Sequence, residues 1–202
     1  MRPAAPNRSR RAAICAAIRL GARLVLAALF LWPPPAGRTQ PAEAPEYPEY
    51  DIKADLLRKL ACFTDWPSNA FASTNAPLVV GVVGRDPFGP ALDETFSGKT
   101  VNGRSIVVKR LNAGQDLKQC HLLFVPASEK RRERDLLDKL KGAPVLTVGE
   151  SDDFLDHGGA VQLLIRDKSV RFSVNLHPAK ATGPRISAKV IQLAVSVRGR
   201  YE

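Results

Sequence analysis

Two periods of apolar positions alternate along most of the chain. "DIKADLLRKLACFTDWP" sets Ile52, Leu56, Leu57, Leu60 and Phe63 at helical spacing, and Pro67 ends the element. "PLVVGVVG", from Pro77 to Gly84, is a short apolar run between turn residues and predicts a fully buried strand. "DPFGPALDETFSG" predicts a helix capped by Asp86 with Pro87 at its first position, where the missing N–H costs nothing. The Asn102-Gly103 turn then introduces a strand in "RSIVVKRL". "HLLFVPA" and "APVLTVG" read as buried strands on either side of "SEKRRERDLLDKLKG", a helix opened by Ser128 and closed by Gly142. The last third differs. "GAVQLLIRDKSVRFSVN" is two strand-like runs joined at Asp167 to Ser169, a β-hairpin, and "RISAKVIQLAVSV" follows as an amphipathic helix. Alternation first and a hairpin later predict the α/β class: a single domain with a mixed, partly parallel β-sheet flanked by helices, a C-terminal β-hairpin and a closing helix.

The front end breaks this pattern. Residues 1–44 carry seven arginines against the single acid Glu43, then the apolar run Leu24 to Trp32, then prolines and small residues, the order of a secretory signal peptide. Nine apolar residues preceded by Arg19 and Arg23 are too few for a spanning helix, which needs about 20. Cleavage near Ala44, in "AEA", is preferred over Ala36 and exports the remainder to the bacterial periplasm. The expected organisation is a signal peptide over 1–44, a linker over 45–50, the α/β domain over 51–198 and a short tail over 199–202. The formal net charge of +10 then loses most of its meaning, because the leader holds +6 of it and the rest has 23 basic against 19 acidic residues. That balance suits a soluble domain and gives no nucleic-acid partner.

Candidate chemistry is sparse. The loop "VVGRDPFGPAL" has the outline of a phosphate cradle, yet Gly81, Gly84 and Gly89 miss the GxGxxG spacing. Pro90 and Ala91 stand where a Walker loop needs Lys and Ser or Thr, and Asp86 puts a negative charge where the anion would sit. The loop is read as structural, with no cofactor. "VGESDDFLDHGG" raises a hydrolase through Ser151 and a metal site through Asp152, Asp156 and His157. It lacks the GxSxG elbow, and Ser151 as a cap before two acids is the plainer account. His121 and His177 lack paired ligand spacing and are read as polar edge residues. No catalytic or metal-ligating set is assigned. In "EKRRERDLLDKLK" the pairs Arg131–Asp135, Arg134–Asp138 and Asp135–Lys139 are four apart and predict a solvated helix, with Leu136, Leu137 and Leu140 buried. After export the chain keeps Cys62 and Cys120, which permit one disulfide or two separate buried thiols.

The series "KLACFTDWP", "LVVGVVGRDPFGPAL", "GKTVNGRSIVVKRL", "CHLLFVPASE", "PVLTVGES", "FLDHGGAVQLLI" and "VRFSVNLHPAKATGPRIS" resembles, in order and wording, the YfiR-like (YfiR/HmsC) family of exported bacterial proteins over roughly Ile52 to Val197. The resemblance implies a non-enzymatic periplasmic regulator. Such a protein binds the periplasmic sensory domain of an inner-membrane signalling enzyme, a diguanylate cyclase or a sensor kinase, and holds it inactive. An outer-membrane lipoprotein can sequester the repressor, so that cyclic-di-GMP and biofilm formation follow the state of the envelope. The resemblance also implies an α/β fold, homodimerisation and disulfide-linked redox control. Cys120 in "QCHLLFV" resembles a family cysteine position, but "LVVGVVG" has Gly81 and no partner cysteine, so a bridge implied by the family needs Cys62. A repressor needs an exposed apolar or aromatic patch, for which Trp66, Pro67 and Phe71 in "FTDWPSNAF" are the candidates, while Phe63 and Trp66 are expected to close the core beside the first helix. A small-ligand module with a cleft between the Gly84–Gly89 loop and the "LDHGGA" turn is the second reading.

Overall fold

The computed structural model describes residues 49–177 and 183–200; the leader with Cys15, most of the linker and the end of the tail lie outside them. The first helix, α1, runs Glu49–Cys62. A two-residue strand, β1 (Thr64–Asp65), and a loop lead to β2 (Leu78–Val83). There follow α2 (Pro90–Phe96), β3 (Thr100–Val101), β4 (Arg104–Leu111), β5 (Leu122–Val125), α3 (Glu133–Lys139) and β6 (Leu146–Gly149). The chain closes with β7 (Val161–Arg166), β8 (Ser169–Asn175), β9 (Arg185–Ile186), α4 (Ala188–Ile191) and β10 (Val197–Arg198).

The main sheet has the order β10-β8-β7-β6-β5-β2-β4-β3, and β1 pairs separately with β9. From β4 through β2, β5 and β6 to β7 every pairing is parallel. The β7–β8 hairpin and the β3–β4 hairpin are antiparallel. Both turn on two residues with positive φ, Asp167-Lys168 and Asn102-Gly103, the geometry whose twist matches the flanking strands.

Side-chain alternation splits the interior into two cores. Leu78, Val80 and Val82 of β2, with Leu122, Phe124, Leu146 and Val148, face one side under α1 and α2. Val79, Val83, Leu123 and Val125 face the other under α3. Helix α1 buries Ala54, Leu57, Leu60 and Ala61, so its packed stripe is turned from the one expected, and Ile52 and Phe63 stay exposed. Phe63 therefore does not close the core. β1 and β9 meet beside it, with Ser187 donating its N–H to the Phe63 carbonyl.

Three helices differ from the sequence pattern in extent. Helix α2 starts at Pro90 rather than Pro87: Asp86 Oδ1 accepts the Phe88 N–H as a cap would, with Oδ2 taken by Arg110, but Gly89 at φ +55° breaks the helical backbone, and Pro90 takes the first helical position after it. Helix α3 starts at Glu133; the preceding Ala127–Glu129 forms a 3-10 turn. The closing helix is the single turn α4, and the chain beyond it extends into β10, whose backbone alternates hydrogen bonds with β8. An edge strand offers a row of free carbonyls and N–H groups, and that pairing outweighs the weak helical period of "QLAVSV".

Candidate functional site

The loop between α1 and β2 crosses the amino ends of β2 and β5 and carries Trp66, Pro67 and Phe71. All three are half-buried. Trp66 and Phe71 converge on His121, the residue just before β5. Its Nδ1 accepts the Val79 N–H at 3.0 Å, so the ring proton lies on Nε2, which donates to the Ala70 carbonyl at 3.1 Å. The ring of Phe71 stacks on His121 with centroids 4.3 Å apart, and Trp66 meets it edge-on while donating Nε1–H to the His121 carbonyl. Arg104 covers the outer face of Phe71 at 3.8 Å and is held by the carbonyls of Ser73 and Ala76. Burial, with Arg104 nearby, pushes the His121 pKa down and keeps the ring neutral. His121 is thus no edge residue: it is 7% exposed and fastens this loop to the sheet. His177 is exposed.

The glycine loop at the carboxyl end of β2 is shut to anions. Gly84 has φ +77°, and the Glu129 side chain fills the space a Cβ there would need. Phe88 closes the other face, edge-on to both Tyr50 and Phe124. Two carboxylates, Asp86 and Glu129, stand around the turn, so the charge opposes phosphate.

"VGESDDFLDHGG" forms the crossover from β6 to β7. Its Phe154 ring is buried between Gly149 and Gly159, where any Cβ would strike it. Both ends are fastened by Glu133 of α3, which is wholly buried. Ser151 Oγ donates to one of its carboxylate oxygens, and His157 Nδ1 lies 2.7 Å from the other. The serine and the histidine therefore share a carboxylate and do not pair with each other. A nucleophilic serine needs its base in direct contact and an open approach, whereas Ser151 is 4% exposed. Asp156 pairs with Arg198, and among the described residues no His, Cys, Asp and Glu group has metal-binding geometry.

A further polar cluster, not legible in the pattern, sits at the carboxyl end of β6. Glu150 accepts from Lys53 Nζ at 2.5 Å and from the Ala127 N–H at 2.9 Å, and Tyr50 OH is 3.4 Å from both oxygens. Burial works against the Lys53 charge, but its bonds to Glu150 and Glu49 outweigh that and raise its pKa. The one available signal was a lysine inside the buried stripe of α1.

No Cys62–Cys120 bridge is formed; both thiols are free. They lie towards the same end of the sheet but on opposite faces. Cys62 packs against the core under α1, and Cys120 belongs to the core under α3, its Sγ 2.5 Å from where a Cβ of Gly81 would be. Burial raises the Cys120 thiol to about 11. The expected pairs on α3 are also replaced: Arg132 pairs with Glu129, Lys141 with Asp138 and Lys130 with Asp153.

Among solved structures the chain is similar to a conserved domain protein from Vibrio cholerae O1 biovar El Tor, at 11% identity and a TM-score of 0.52 over 74% of this chain. It spans 60% of that chain's length, and the likeness concerns the fold. No match was found among curated proteins. The profile of the YfiR/HmsC-like family matches residues 50–195, from the first turn of α1 to just before the closing edge strand, and this chain belongs to that family.

Proposed function

We propose that the protein is an exported periplasmic regulator that binds and represses the periplasmic sensory domain of an inner-membrane signalling enzyme, a diguanylate cyclase. Family membership over residues 50–195 carries this reading, since it supports a periplasmic regulatory role at the level of the family. The geometry agrees with action by contact. The polar clusters of Glu133, Glu150 and His121 are each taken up by partners within the chain. Among the described residues no helix is long and apolar enough to cross a membrane. Residues 1–44 act as the export signal and 51–198 as the regulatory domain. Release by an outer-membrane lipoprotein and pairing into a homodimer complete the scheme.

The proposed docking surface is the α1–β2 loop with Trp66, Pro67 and Phe71, extended by Phe63, which is 47% exposed and lies beside them in sequence. An aromatic at the centre of such a patch contributes the bulk of the contact energy, about 2 kcal/mol or more on truncation. Crosslinking in envelope extract followed by purification is expected to recover an inner-membrane signalling protein. Phe63→Glu is expected to abolish that recovery while leaving the melting temperature unchanged. Recovery of no membrane protein, or equal recovery with Phe63→Glu, counts against the reading.

A further inference from the structure

An open α/β sheet receives ligands outside the carboxyl ends of its strands, where the strand order reverses. Here that point lies between β2, β4 and β5, and Phe88 and Glu129 occupy it. The opening in this fold is elsewhere. Strand β6 pairs with β7 only at Val148 and Gly149. One residue earlier the ladder is broken, and the Ala160 N–H goes to the Thr147 hydroxyl in place of a backbone carbonyl. The start of β6 and the end of β8 therefore part, and on the α3 side of the sheet they leave a cavity of about 380 Å³.

Its construction is asymmetric. Leu137 and Leu140 of α3, with Val145 before β6, make an apolar wall. Thr147 and Asn175 supply a polar floor, and both are already anchored, Asn175 by the Leu155 carbonyl and the His177 N–H. Among the described residues of the lining the ionisable side chains are Lys141 and His177, and none is a carboxylate. Lys141 reaches Asp138 at 2.7 Å, but the two side chains are 76% and 48% exposed, so this ion pair holds the ammonium only weakly. An apolar chamber of this size with few polar groups and cationic chemistry at its mouth has the make-up of a small-molecule site.

We propose that this cavity binds a small amphiphile with an apolar body and an anionic head, the body against Leu137, Leu140 and Val145 and the head at Lys141. This goes beyond the regulatory reading and stands whether or not a membrane partner is found. Octanoate is the probe and octan-1-ol its uncharged counterpart, titrated into the exported chain by calorimetry. Octanoate is expected to bind with one-to-one stoichiometry, at least 5-fold tighter than octanol, and to raise the melting temperature. Lys141→Ala is expected to bring octanoate down to the affinity of octanol. Ala143→Phe, which enlarges a partly buried residue of the lining, is expected to abolish binding of both. Should that variant misfold, the amide shifts of Thr147 and Asn175 in the unaltered protein serve instead and are expected to move on octanoate addition. Absence of saturable octanoate binding, equal affinity for the alcohol, affinity unchanged in Lys141→Ala, or shifts confined to other residues would each overturn the proposal.

Discussion

His121 places an imidazole nitrogen where a strand would offer a carbonyl, and the Val79 N–H bonds to it. Protonation of Nδ1 destroys that bond and adds a charge against Phe71, Trp66 and Arg104. Because burial holds the folded-state pKa below the ordinary value of about 6.5, the unfolded chain takes up the proton first as pH falls. The contribution is complete above about pH 6.5 and is lost as pH drops towards the depressed folded value. His121→Asn keeps an acceptor near the Nδ1 position but cannot titrate. The melting temperature of the unaltered protein is expected to fall more steeply between pH 7 and pH 5 than that of the variant. Parallel profiles would show that His121 is not the titrating group. Neighbouring close contacts follow the same local logic: Gly81 is bare because Cys120 lies over it, and Gly149 and Gly159 because Phe154 lies between them.

At the scale of elements, the crossover from β6 to β7 is held to α3 by one buried carboxylate. Glu133 satisfies Ser151 and His157, and Phe154 fills the space beneath. Removing it leaves a buried hydroxyl without an acceptor and frees both ends of the segment. Glu133→Ala is expected to cost about 2–4 kcal/mol in urea denaturation. Amide exchange should quicken in residues 151–159 before it does in β2 or β5, since a segment that loses its fastening opens locally first. Uniform acceleration across the sheet would contradict the clasp. The same pattern explains why this run looks like chemistry in the sequence: in the fold Ser151 and His157 meet Glu133, while the exposed Asp153 and Asp156 pair with Lys130 and Arg198.

For the whole molecule, the sheet separates the two cysteines. Denaturing alkylation of the chain, purified without reductant, is expected to label both Cys62 and Cys120. In the native state Cys62 should react first, because Cys120 is 2% exposed and burial holds its thiol protonated up to about pH 11. A chain that takes up label only after reduction would show a bridge and require the sheet to rearrange. The two-faced core also bears on partner binding. The α1–β2 loop is fastened to the sheet through His121 and Arg104, so Trp66 and Phe71 are presented from a braced segment, and Phe63 stands exposed at the end of α1.

The sequence by itself determined the class of fold and most of its elements. Strand β4 falls on "RSIVVKRL", the turns fall at Asn102-Gly103 and Asp167-Lys168, and the buried strands are the short apolar runs, because period and turn chemistry are local properties of the chain. It also showed that "VVGRDPFGPAL" lacks the lysine and hydroxyl of a phosphate site. Tertiary structure alone decided the rest. Which face of α1 is buried, why Phe63 is left outside, which face of the sheet each cysteine takes, and which carboxylate meets Ser151, Lys53 or Arg110 all depend on residues 18 to about 100 positions apart in the chain. A lone chain position carries no signal for such a partner. The edge pairing of β10 and the cavity beside β6 arise likewise from how strands meet, and helical periodicity in "QLAVSV" could not reveal them.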